Sequence, residues 1–144
     1  INTIFHRDSP SRLFASLIYA MISENDGTVR FVNAGHLPPV LVHEGAATEM
    51  DKGDMAVGLT RNVEYREASL TLDHGDLLVL YSDGVTEAKN EQGEFFGKDR
   101  LVLSLKHARG TPEEIGLNIV WAVDHFMGPA HPSDDLSLII LRRL

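Results

Sequence analysis

The chain has 144 residues, 43% hydrophobic and 24% charged, which is enough apolar material for one core without a covalent staple. Its 21 acidic and 13 basic side chains leave a net charge of −8, which disfavours nucleic acid as a partner because phosphate backbones are repelled at long range. It contains no cysteine, so a disulfide framework and a thiolate nucleophile are both excluded.

Ile1 to Arg7 reads as the tail of a helix, and a start at Ile1 without an initiator Met is expected of a fragment or a processed chain. Pro10, flanked by Ser9 and Ser11, marks a break. Leu13 to Ile22 then runs almost wholly apolar, as a buried strand or a buried helix. The run is far short of the roughly 20 residues that cross a bilayer, and no signal-peptide pattern precedes it, so no direct membrane insertion is expected. Asp26-Gly27 is a tight-turn pair, and Thr28 to Asn33 alternates apolar and polar positions, so strand, turn, strand is the simpler reading. Ala34 to Pro39 forms a loop, Val40 to His43 a short strand, and Glu44-Gly45 its turn. Asp51 to Asn62 is irregular and glycine-containing, a surface or active-site loop. Glu67 to Leu72 alternates, with Ala68, Leu70 and Leu72 on one face, and Leu77 to Tyr81 reads as a fully buried strand.

Two helices follow. Lys98 to Ala108 has only a fair helical pattern, with apolar residues at Leu101, Leu103 and Leu105. In the second helix Thr111 caps, Pro112 takes the first helical position and Glu114 completes a capping box; Ile115, Ile119, Val123 and Phe126 form its apolar stripe, and Gly128 ends it. Leu136 to Leu141 is an apolar terminal strand. There is no internal repeat. Strands come first and helices late, which predicts an α+β fold with mainly antiparallel sheets packed with helices, in a single domain over residues 1–144.

Chemistry concentrates at two acidic sites. Ser82-Asp83-Gly84 follows the end of the buried strand Leu77–Tyr81, and Asp134-Asp135 precedes the start of the last strand. If these strands are antiparallel neighbours, both sites meet at one edge of a sheet. Carboxylates gathered there resist joint ionisation unless a cation neutralises them, and hard divalent ions favour such oxygen ligands. Each site also has an ordinary structural reading, Asp-Gly as a turn pair and Asp before a strand as a loop residue; spacing alone leaves both open.

The segment Gly75 to Ala88, centred on Tyr81-Ser82-Asp83-Gly84-Val85-Thr86-Glu87, closely resembles a signature of the SpoIIE-type bacterial serine/threonine phosphatases of the metal-dependent PPM, or protein phosphatase 2C-like, superfamily. Phe31 to Pro39 resembles that family's Asn-Ala-Gly-His loop, Gly93 to Gly97 its Phe-Gly segment, and Asp134-Asp135-Leu136-Ser137-Leu138 its terminal Asp-Asp motif. The resemblance implies part of a PPM-type αββα sandwich lacking its first strands, so that residues 1–144 are the C-terminal part of one domain. It implies metal-binding roles for Asp83 and Asp134, an assisting role for Asp135, and Mn²⁺ or Mg²⁺ as cofactor, two ions in the complete domain. The reaction implied is hydrolysis of phosphoserine or phosphothreonine on a partner protein, an anti-sigma-factor antagonist in a bacterial partner-switching pathway, in the cytoplasm. No earlier Gly-Asp motif of the family precedes Leu13, so these residues alone are expected to have little or no activity; Ala56-Val57-Gly58-Leu59 also departs from the family's Pro-Leu-Gly wording.

His36 sits in a matched loop and is expected to make a structural hydrogen bond; His6, His43, His74, His107, His125 and His131 show no ligand spacing. Asn33 is expected to orient its loop, and Trp121 and Phe126 to pack. Two other readings stand beside the phosphatase: a catalytically inactive interaction domain of the same fold, and a metal-dependent hydrolase of small phosphoesters.

Overall fold

The structure is a computed structural model that describes residues 1–10, 13–106 and 108–144. Ser11, Arg12 and His107 lie outside the described residues, and with them the readings made of Ser11 and His107. The chain divides into two compact units. The first holds Ile1–Pro38 and Asp51–Leu72, the second Pro39–Met50 and Asp73–Leu144. No helix among the described residues is long and apolar enough to cross a membrane.

In the first unit α1 (Asn2–Asp8) is followed by a three-stranded antiparallel sheet of order β1-β2-β5, with β1 at Leu17–Ile22, β2 at Thr28–Ala34 and β5 at Glu67–Thr71. The Asp26-Gly27 turn joins β1 to β2 as the sequence predicts: Gly27 takes a φ of 73°, and the Asp26 carboxylate accepts from the Thr28 amide at 2.9 Å. Val29, Phe31 and Asn33 of β2 are buried, whereas Arg30 is exposed and pairs with Glu67 of β5. Asn2 anchors α1 through both ends of its buried amide, donating to the Thr60 and Arg61 carbonyls and accepting from the Gly58 amide. The apolar run before Asp26 is a strand but not a buried one: within β1 only Ile18 is even half-buried. The reason is topological, since β1 is an edge strand with β2 as its one described neighbour.

The second unit contains a four-stranded antiparallel sheet of order β4-β3-β6-β7, with β3 at Val40–His43, β4 at Ala46–Glu49, β6 at Leu77–Tyr81 and β7 at Leu138–Arg142. Glu44 and Gly45, at φ 48° and 79°, make the two-residue turn between β3 and β4. Strand β6 lies between two neighbours and is buried at every residue but Leu80, which accounts for its unbroken apolar sequence. Among the described residues this unit has three helices: α2 (Asp83–Thr86), α3 (Gly97–Lys106) and α4 (Pro112–Met127). Helix α3 packs on β3 and β4, and α4 packs on β7 and α3. The capping box is present: the Glu114 amide donates to Thr111 Oγ1 at 3.2 Å, and the Thr111 amide donates to the Glu114 carboxylate at 2.8 Å. Ile115, Ile119, Val123 and Met127 form the buried stripe. Phe126 stands at its margin, half-buried, meeting the Phe96 ring edge-on at 5.6 Å and lying under the Arg100 guanidinium. The fold is therefore the α+β arrangement of antiparallel sheets and packed helices expected from the sequence.

Candidate metal centre

Antiparallel pairing of β6 with β7, in register Tyr81↔Leu138, brings the two acidic segments to the same end of the sheet. The pairing continues one step past the strands, where the Ser82 amide donates to the Ser137 carbonyl at 3.0 Å. The Ser82 hydroxyl then bridges across: it donates to the Asp135 carbonyl at 3.0 Å and accepts from the Ser137 amide at 2.9 Å. Immediately beyond, Gly84 lies against the Asp135 carbonyl so closely that a Cβ there would collide with backbone. The glycine of the Ser-Asp-Gly motif is thus required by close approach of two chain segments.

Asp83 opens α2 and Asp134 sits just before Asp135, and all three carboxylates are exposed. Each of the first two has one oxygen occupied by the next residue's amide, Gly84 to Asp83 Oδ1 at 3.1 Å and Asp135 to Asp134 Oδ1 at 2.8 Å. The other oxygen of each has no protein partner among the described residues, and no described cation pairs with any of the three. Exposed hard-oxygen donors carried by two adjoining segments, with no described counter-cation, are of the type that suits Mg²⁺ or Mn²⁺. The set is a partial one. Among the described residues, the three acids do not belong to a group of three ligand atoms within 4.8 Å of one another.

One such group does exist, and sequence reasoning passed over it: His43, Asp73 and Asp76. His43 Nδ1 lies 2.9 and 3.1 Å from the two Asp76 oxygens and 3.9 Å from Asp73, and the Asp73 amide donates to Asp76 Oδ2 at 2.9 Å. The hydrogen bond to Asp76, and then its charge, raise the His43 pKa above the ordinary 6.5 against a smaller opposing effect of desolvation. Asp76 precedes β6 whereas Asp83 follows it, so the five residues of β6 and Ser82, on the order of 20 Å of extended chain, separate this group from the first. Its geometry ties β3 to the turn entering β6. The pairing of Val42 with Leu77 sets it up, a register that residue spacing alone does not reveal.

In the first unit Asn33 holds its loop as expected. Its side chain accepts from the His36 amide at 2.9 Å and donates to the His36 carbonyl at 3.1 Å, spanning Gly35 at φ 76°. His36 Nδ1 lies 3.2 Å from the Leu37 carbonyl, a local structural contact.

Comparison with known proteins bears on the family and the fold. The family model of stage II sporulation protein E (SpoIIE) matches residues 1–144. Protein IcfG of Synechocystis is 33% identical over 134 residues, covering 91% of this chain, and the phosphoserine phosphatase RsbU of Bacillus subtilis is 26% identical, covering 99%. The chain spans 21% and 43% of those two relatives' lengths. Among solved structures, the PP2C phosphatase domain of SpoIIE from Bacillus subtilis, with a fragment of its regulatory domain, superposes at a TM-score of 0.82 and 19% identity over 98% of this chain and 41% of that one, which shows a shared fold. With a family match over its whole length, the chain belongs to the SpoIIE family, and its fold is that of a PP2C-type phosphatase domain.

Proposed function

We propose that the protein hydrolyses phosphoserine or phosphothreonine on a partner protein in bacterial signalling, with Asp83 and Asp134 as metal ligands and Asp135 assisting. The observation that carries this reading is the β6–β7 register, which gathers residues about fifty positions apart in sequence at one exposed edge. Support comes also from a relative, the phosphoserine phosphatase RsbU of Bacillus subtilis. When bound, Mn²⁺ or Mg²⁺ supplies an acidified water and neutralises charge on the phosphoryl oxygens. The chain's own residues contribute orientation: the Gly84 and Asp135 amides each fix one carboxylate oxygen and leave the other for a cation. No covalent phosphoenzyme is needed, in keeping with a chain without cysteine.

Two carboxylates leave most of the coordination shell of two ions to other donors, so these 144 residues alone are expected to show little or no turnover. The substrate class in this proposal is a phosphorylated anti-sigma-factor antagonist, and the setting the cytoplasm. Mn²⁺-dependent phosphate release from a phosphoserine protein, by the protein at its full natural length, tests the reading. Asp83→Asn and Asp134→Asn are each expected to lower the rate at least about 100-fold, the loss of a few kcal/mol of charge stabilisation. Full activity in both variants refutes the assigned roles. An unsubstituted protein that binds its partner and releases no phosphate points to the inactive interaction domain.

A further inference from the structure

We propose that Ser82 is a positioning residue for this centre, its hydroxyl fixing the Asp83 segment against the Asp134-Asp135 segment at one separation; the inference rests on reading those carboxylates as metal ligands. The regular ladder ends at Tyr81↔Leu138, and three hydrogen bonds prolong it, all made by Ser82. One is the Ser82 amide to the Ser137 carbonyl; the other two belong to the hydroxyl, which donates to Asp135 and accepts from Ser137.

Ser82 stands at the N-cap of α2, with extended backbone at φ −83° and ψ 164°, where a serine oxygen ordinarily accepts from the amides of the helix's first turn. Here it makes no cap bond. Its oxygen is turned instead to a segment more than fifty residues away in sequence.

The need for such a clip follows from charge. Asp83, Asp134 and Asp135 are exposed and of one sign, so the segments that carry them repel in the absence of a cation. Gly84 allows the segments to touch, but an absent side chain cannot hold them together. The Ser82 hydroxyl can, because it bonds both a donor and an acceptor of the opposite segment and thereby fixes its distance and its orientation. A metal-ligand geometry tolerates small errors only, and partners behind the ligands are where such tolerance is set.

The test uses the protein at its full natural length, with Mn²⁺ affinity read by calorimetric titration and thermal unfolding run in parallel. Ser82→Ala is expected to weaken Mn²⁺ binding about 10- to 100-fold. KM for the phosphoprotein should stay unchanged, and kcat should recover at saturating Mn²⁺, which a merely misfolded variant cannot do. Ser82→Thr, which keeps the hydroxyl, should restore affinity. Ser82→Cys, a slightly larger side chain with a weak donor and acceptor, weakens both bonds and should weaken Mn²⁺ binding even if the alanine variant fails to fold. Asp83→Asn is the benchmark. If it is impaired while S82A or S82C binds Mn²⁺ like the unsubstituted protein, the clip is refuted and the metal reading stands. If Asp83→Asn also binds Mn²⁺ normally, the metal reading falls and the clip falls with it.

Discussion

Asp83 and Asp134 meet the same local fate: an amide of the following residue takes one oxygen, and the other is left for solvent or a cation. The motifs around them stood out in the sequence because Ser-Asp-Gly and Asp-Asp each flank a strand, a placement open to a structural or a functional reading, and it was the family resemblance that implied metal roles for them. The His43–Asp76 pair was not legible, since its members lie 33 positions apart and meet only through the β3–β6 register. That pair gives a pH-dependent prediction. A histidine whose folded pKa is raised contributes stability that is fully present below its unfolded value near 6.5 and lost as pH rises through the folded value. Urea unfolding of the protein and of a His43→Gln variant should therefore show a gap at pH 5 that shrinks by pH 9. A gap that is constant with pH contradicts the pairing.

At the level of elements, strong local signals decided what could be read. Helix α4 announced itself through Thr111, Pro112 and Glu114, and the same box closes in the structure. Thr111→Ala removes the acceptor for the Glu114 amide and should cost about 1 kcal/mol in urea unfolding, while Thr111→Ser should cost little. Strand β4, Ala46–Glu49, escaped notice because it is four residues long and poor in β-branched side chains; it forms because the Glu44-Gly45 turn folds it back on β3. Helix α2 is a single turn, too short for any periodicity to register. The terminal strand starts at Leu138 rather than Leu136, where the Ser137 amide donates to the Ser82 hydroxyl instead of to a backbone carbonyl. In β1 the apolar composition gave the strand correctly but not its exposure, which depends on sheet order.

Across the whole molecule, each compact unit is built around its own antiparallel sheet, and the candidate centre lies entirely within the second. The net charge of −8 is unfavourable for phosphorylated ligands in general, so a cation held at the β6–β7 edge is what would make a phosphoryl group welcome there. This makes convergence of two distant carboxylates on shared cations the central claim. Its most direct measurement is a double-mutant cycle of Mn²⁺ affinity at full natural length, with Asp83→Asn, Asp134→Asn and the pair. Ligands of one centre should be strongly non-additive: each single substitution removes most of the binding, and the second adds little. Losses that add independently, or no loss in either single variant, would contradict the claim.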